Sequence, residues 1–241
     1  MAQMGMAQML TARDTTMHYS GGYGQSLDWT PVVDDFLSTT LEASSRPALT
    51  LDGHKSGMYL QSPWYADLNA LVSQSYAISG STSNFDFISG ALTSQFVCAS
   101  DGPGSGSYAS NSSGSNRLSL TFEVGAAGMN YSLYGHSDWL SAGPNVPHAE
   151  VRIMKLTNGN WGNVWSSISL PNGSDFSHNG TLTEGTYMLD TNAQTSSLSN
   201  DTAYSHATFT LDNLDVVPEP LSFVVLAIGA LGLFRRRNTL S

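Results

Sequence analysis

The sequence predicts an all-β fold, an antiparallel β-sandwich or jelly roll, followed by a single C-terminal hydrophobic helix of transmembrane character. Three observations predict it. Short apolar/polar alternations recur from Phe85 to Asn213, separated by Gly-, Asn- and Ser-rich turns. Charged residues make up only 12% of the chain, about half the usual share. The polar surface is therefore built from Ser, Thr, Asn and Gly, which suit turns and strand exteriors better than long solvated helices. Finally, the chain switches near its end to one unbroken apolar run closed by three arginines.

The 241 residues suffice for one large all-β domain or two small ones, and no internal repeat of fixed period is present. Residues 1–25 lack clear periodicity and read as a poorly ordered N-terminus. Residues 26–214 read as a β-sandwich ectodomain. Within it, DWTPVVDDFLSTTLEA (Asp28–Ala43) reads as a short helix after Pro31, and SPWYADLNALVSQSY (Ser62–Tyr76) as a helix or a strand pair. FDFISGALTSQFVCAS offers short β-prone runs around Gly90. Asp101–Asn116 reads as a flexible loop, since ten of its sixteen residues are Gly or Ser.

The strand signal then strengthens. RLSLTFEV places Leu118, Leu120, Phe122 and Val124 on one face, and MNYSLYG places Tyr131 with Leu133. AEVRIMKL turns Ala149, Val151 and Ile153 inward and Glu150, Arg152 and Lys155 outward. NGNWGNVWSSISL follows a turn and carries Val164, Ile168 and Leu170. GTLTEGTYMLD reads as a strand, a turn at Glu184–Gly185, and a strand. AYSHATFTLDNLDV places Ala207, Phe209 and Leu211 on one face.

Charge limits the partners. Setting aside Arg235, Arg236 and Arg237, 6 basic residues oppose 19 acidic ones, a formal −13. Such a body is repelled by nucleic-acid phosphates, so no nucleic-acid partner is expected. Cys98 is the single cysteine, which excludes an internal disulfide, and its apolar neighbours mark it as a small buried hydrophobe.

Chemistry is sparse, and the chain reads as non-enzymatic, without cofactor or resident metal. His18, His54, His136, His148, His178 and His206 are scattered, with no HExxH or HxH spacing. YGHSDW sets His136 two residues before Asp138, hence on one strand face: half a metal site or a polar pair. Asp101, Asp175 and Asp201 lie in turn-like stretches, but no D-x-D-x-D-G loop supports calcium. No Gly-x-Ser-x-Gly elbow is present, and the acid pair Asp34–Asp35 is not readable as a glycosidase pair from sequence. Trp161 and Trp165, four apart and hence on one face of a strand, form a candidate platform for sugar rings; the competing reading is that one or both fill the core. Asn111, Asn130, Asn172, Asn179 and Asn200 begin N-x-Ser/Thr triplets, as often as this composition produces by chance.

The last segment, residues 215–241, is the most informative. VPEP spans residues 217–220. Leu221–Phe234 follows, an apolar run of fourteen residues that includes Leu221, Phe223, Val224, Val225, Leu226, Ile228, Leu231, Leu233 and Phe234. As a helix it would be about 21 Å long, short against a hydrocarbon core of about 30 Å. Arg235–Arg237 lengthen the effective span by snorkelling and favour the cytoplasmic side, which leaves the acidic body outside. Pro218 and Pro220 keep the helix from entering the body.

In motif, order and spacing this tail resembles a PEP-CTERM protein-sorting signal. The resemblance implies a substrate of an exosortase-type processing enzyme, exported from a Gram-negative bacterium and held transiently in the inner membrane. It is then processed near Pro218, Glu219 and Pro220 and delivered to the cell surface or a polysaccharide matrix. On that reading Leu221–Phe234 is the anchor and Arg235, Arg236 and Arg237 the basic stop. The strand rhythm of the body is similar to β-sandwich ectodomains that precede such tails. Export also requires an N-terminal signal; the first residues show no apolar run of roughly 7–15 residues, and the expectation is that the gene start lies upstream or that the N-terminus is truncated. The expected role is a structural or adhesive surface or matrix protein, the alternative a carbohydrate-binding module acting on matrix polysaccharide.

Overall fold

The computed structural model describes residues 9–25, 28–38, 48–59, 61–81, 84–102, 108–140, 148–197 and 201–214. These residues form strands β1 (Met9–Gln25), β2 (Asp28–Ser38), β3 (Leu49–Tyr59), β4 (Ser62–Ser81), β5 (Asn84–Asp101) and β6 (Tyr108–Val124). Then come β7 (Met129–Leu140), β8 (His148–Thr157), β9 (Asn160–Ser166), β10 (Ser174–Leu182), β11 (Gly185–Ser197) and β12 (Asp201–Asn213). A single 3-10 turn, Ser167–Ser169, follows β9. The all-β expectation therefore holds for the body. The tail from residue 215, with its apolar run, lies outside the described residues, and among those residues no helix is long and apolar enough to cross a membrane.

Two six-stranded antiparallel sheets form. Sheet I has the order β2-β1-β6-β11-β8-β9, and sheet II the order β3-β4-β5-β12-β7-β10. They pack face to face in a sandwich-like arrangement. β1 lies over β4, β6 over β5, β11 over β12 and β8 over β7. Three of these four facing pairs are consecutive in sequence, so the chain repeatedly crosses from one layer to the other. Glu184–Gly185 is one such crossing. It joins β10 of sheet II to β11 of sheet I, so the two strands flanking that turn do not pair with each other.

The strongest alternations fill the interior. Leu118, Leu120, Phe122 and Val124 of β6 are buried, as are Tyr131 and Leu133 of β7, Ala149, Val151 and Ile153 of β8, and Ala207, Phe209 and Leu211 of β12. Phe122 meets Phe85 edge to face at 5.5 Å and Tyr187 in a stack at 6.0 Å. A second, smaller cluster holds Met17, Tyr19, Leu68, Ala70, Val72, Phe96 and Cys98. Cys98 is thus buried among apolar groups. Val164 and Ile168 are exposed, while Leu170 packs against the core.

Between the two clusters runs a buried polar belt. Arg13 donates to the Tyr76 hydroxyl and lies over its ring. The Asn116 amide of sheet I donates to the backbone carbonyls of Ser73 (2.5 Å) and Thr93 (3.1 Å) in sheet II. Gln74 of sheet II donates back to the Arg117 carbonyl at 3.2 Å. Ser94 and Thr195 share a bond of 2.6 Å across the same gap.

Four sequence expectations are corrected. Residues 9–25, expected to be poorly ordered, form β1, whose inward series Arg13, Thr15, Met17 and Tyr19 is buried. Within Asp28–Ala43, expected to hold a short helix, Asp28–Ser38 is strand β2, which β-branched Val32 and Val33 suit, and residues 39–43 lie outside the described residues. Pro31 is tolerated there because β2 is an edge strand. Ser62–Tyr76 is one strand within β4. Its Ala and Leu residues favour helices, yet Trp64, Ala66, Leu68, Ala70, Val72, Gln74 and Tyr76 are buried with period two. The part of Asp101–Asn116 from Tyr108 onward is strand, paired with β1 and β11. Small residues are required there, since a Cβ on Gly114 would stand 2.5 Å from the Phe96 ring.

Gly135 of β7 is tighter still. A Cβ there would lie 2.0 Å from the Thr208 carbonyl oxygen and 2.7 Å from the Phe176 ring. Backbone cannot yield as a side chain can, so Gly135→Ala is expected to cost about 3 kcal/mol, the upper end for overpacking. A urea titration should show the lowered midpoint; an unchanged midpoint would contradict the close packing of β7 on β12.

Candidate functional site

The alternation that fills the core also decides what each sheet shows to solvent. Each outer face carries one polar constellation.

On sheet I, Asp190 of β11 lies directly opposite Ser119 of β6 and Arg152 of β8. Ser119 donates to it at 2.5 Å, Arg117 at 2.7 Å, and Arg152 through two nitrogens at 2.7 and 2.6 Å. The carboxylate is only 1% exposed because the guanidinium groups cover it. Its burial is the largest single influence and would raise its pKa. The hydrogen bonds from Arg117 and Ser119 and the charges of Arg117 and Arg152 together outweigh burial and hold the group below its ordinary value. Arg152 also approaches Glu150 at 3.7 Å, and Glu150 accepts from Ser166 at 2.7 Å. Four strands are thereby joined around one buried charge.

On sheet II, the register assembles a different row. His136 of β7 lies opposite Asp175 of β10, and Asp138 lies opposite His206 of β12. His136 Nδ1 is 2.8 Å from Asp175. Asp138 Oδ1 is 3.9 Å from His136 Nε2 and 3.3 Å from His206 Nδ1. Beside this row is a shallow, open depression of about 370 Å³. Its lining is mostly small residues, Ser75, Ala77, Ser89, Gly90, Thr208 and Thr210, together with the buried Tyr76 and Phe209. Two exposed aromatics outside its lining are near in register, Tyr134 opposite Thr210 and Phe87 two residues from Ser89 on the same strand. An open, hydroxyl-bearing trough with aromatics near in register suits an extended, partly polar ligand better than an enclosed small molecule.

Two further cross-strand His–Asp pairs hold edge strands: His18–Asp35 joins β1 to β2, and His54–Asp67 joins β3 to β4. His178 lies against Trp165 and Tyr131, and His148 bonds to Asn192. Of the N-x-Ser/Thr asparagines, Asn172 bonds to both backbone groups of Trp139 and Asn130 accepts from Thr181.

The tryptophan pair is parted. A register shift in the β8–β9 ladder leaves Trp165 opposite buried Ile153 and Trp161 opposite exposed Leu156. Trp165 packs against the core, 5.3 Å from Phe176 and stacked at 5.5 Å on His178, while Trp161 remains on the surface. Simple alternation places both on one face; the bulge is what sequence spacing missed. The sorting residues Pro218, Glu219 and Pro220, the apolar run and Arg235–Arg237 lie outside the described residues. Sequence found His136 and Asp138 but not their partners, because Asp175 and His206 are joined to them only by strand register. Asp175 itself sits in β10 rather than in a turn. No family model and no curated protein matches the chain.

The depressed Asp190 pKa makes stability depend on pH. Stabilisation from this group is fully present above the carboxylate's unfolded pKa of about 3.9 and is lost as pH falls through the lower folded value. Asp190→Asn should cost about 3 kcal/mol at neutral pH. It should also flatten the acid limb of a melting-temperature profile. An unaltered acid limb would show that Asp190 does not carry it.

Proposed function

We propose that the chain is an exported surface or extracellular-matrix protein, sorted through its C-terminal PEP-CTERM-like signal, whose body is a non-enzymatic structural or adhesive module. The carrying observation is the tripartite tail: Val217–Pro220, the apolar run Leu221–Phe234, and Arg235–Arg237, in that order and spacing. The motif begins close to the body, since β12 ends at Asn213 and only Leu214, Asp215 and Val216 precede Val217. The apolar run is read as a short helix that anchors the precursor in the inner membrane until an exosortase-type enzyme acts.

The body is read as a jelly roll with additions. The strand orders β5-β12-β7-β10 and β6-β11-β8-β9 fit two interlocked Greek keys, with the β1–β2 and β3–β4 hairpins widening the two sheets. A closed, Ser- and Thr-rich sandwich of net acidic charge is suited to persistence outside the cell, and it has no constellation of nucleophile and base among the described residues.

The second reading is carbohydrate binding by the same body, and the trough on sheet II favours it. Tyr134 and Phe87 would stack on sugar rings while Ser75, Ser89, Thr208 and Thr210 meet hydroxyls. Trp161 is the competing contact on β9.

In the native organism, Glu219→Ala or deletion of Arg235–Arg237 should leave full-length precursor in the membrane fraction, read by intact mass. Normal release of both variants would refute the sorting reading. For the second reading, a Tyr134→Ala, Phe87→Ala variant should lose matrix-polysaccharide pull-down about tenfold, the equivalent of roughly 1.4 kcal/mol. Loss confined to Trp161→Ala would move the site to β9, and absence of wild-type binding would remove the reading.

A further inference from the structure

We propose that His136, Asp138 and His206 form a binding site for a divalent transition-metal ion of the zinc type, with Asp175 orienting one ligand. The half-site legible in YGHSDW is completed by strand register. His136 and Asp138 stand at positions i and i+2 of β7, hence on one face, and His206 stands directly across from Asp138 on β12. Asp138 and His206, directly opposite, stand about 4.5–5.5 Å apart at Cβ, while His136 is the diagonal neighbour of His206 at about 7–8 Å, within reach of long side chains.

The chemistry of the facing atoms points to a cation. Asp175 accepts from Nδ1–H of His136 at 2.8 Å, which turns the lone pair of His136 Nε2 toward Asp138. Asp138 Oδ1 is a buried atom that takes no hydrogen bond, although two ring nitrogens lie 3.9 and 3.3 Å from it. Neither separation is a hydrogen bond, so Asp138 Oδ1 stands unused between two imidazole rings. Those separations are close to the ligand–ligand spacing of about 3.4 Å in a tetrahedral site with bonds of about 2.0–2.1 Å. A carboxylate holding the far nitrogen of a ligating imidazole is the usual outer arrangement of such sites. Two imidazoles and one carboxylate select a borderline ion over calcium or magnesium, which prefer all-oxygen cages.

As they stand, no three His, Cys, Asp or Glu groups among the described residues are placed to hold a metal ion, so this site would form only as the ion binds. Closing it requires the rings of His136 and His206 to turn toward each other. Both side chains are 36% exposed, so that motion does not disturb the core. Three protein donors leave at least one coordination position open to solvent, beside Thr208 and the trough.

The test is calorimetric titration of zinc chloride into the full chain, prepared without a polyhistidine tag and stripped with chelator. The expected result is one ion per chain. Asp138→Asn and His206→Ala should each weaken binding by more than about tenfold, and Asp175→Asn by about tenfold. His54→Ala, at a pair remote in register, should leave it unchanged. Wild-type protein that binds no ion, or binding insensitive to Asp138→Asn and His206→Ala, overturns the proposal. Because a variant can lose its fold, cobalt(II) titration of the wild-type chain supplies a second reading. Intense visible bands of a four- or five-coordinate site support the assignment, and a weak six-coordinate spectrum overturns it.

Discussion

The sandwich is held at its middle by an exchange of amides. Asn116 reaches from sheet I to the carbonyls of Ser73 and Thr93, and Gln74 reaches back to the carbonyl of Arg117. Amides buried between two sheets are costly unless bonded, and the low dielectric that penalises them also strengthens the bonds they make. The exchange therefore has one good answer. Sliding either sheet by a residue would part the Asn116 and Gln74 N–H groups from these carbonyls, and so the belt favours this alignment of the layers, although Asn116 Oδ1 and Gln74 Oε1 take no hydrogen bond in it. The apolar clusters on either side add most of the driving force but are less discriminating, since hydrophobic contact is tolerant of small displacements. Much of what lies outside follows from that alignment, because inward and outward positions alternate along the strands except where bulges shift the register, as between β8 and β9.

Much of the body was legible where alternation is strong. β6 from Leu118, β7, β8 and β12 were read in the correct sense, with their inward residues identified. Failures came where propensity and period disagree. β4 is rich in Ala and Leu, yet its period is two; burial against sheet I overrides helix preference. β6 before Leu118 is rich in Ser and Gly, yet it lies between β1 and β11, where Phe96 demands a missing side chain at Gly114. β1 was unreadable because its inward series begins with Arg13 and Thr15, polar residues that serve the belt. The candidate sites follow the same logic. Local pairs such as His136 and Asp138 are visible in a sequence. Partners supplied by register, such as Asp190 with Arg117 and Arg152, are not, and neither is a bulge that turns Trp165 away from Trp161.

The two outer faces differ in kind. Sheet I spends its charged groups on one another: Arg117 and Arg152 neutralise Asp190, and Glu150 is occupied by Ser166 and Arg152. Sheet II keeps an open trough lined mostly by small residues, with Tyr134 and Phe87 near it in register. On the proposed reading of a protein displayed on a surface, sheet I would be the inert face and sheet II the one that engages. There Ser and Thr would provide hydrogen bonds without the desolvation cost of full charges.

The position of the last strand has a mechanical meaning. β12 is not an edge strand. It is hydrogen-bonded to β5 along one side, from Asp201 to Asp212, and to β7 along the other, from Tyr204 to Asn213. A load applied at its C-terminal end and directed along the strand would be shared by both ladders in shear. The bonds would resist together instead of opening in succession, as they would if an edge strand were peeled away. A body pulled by its C-terminal end is thus gripped through its stiffest line, and the weaker edges at β2, β3, β9 and β10 are left out of the path of force.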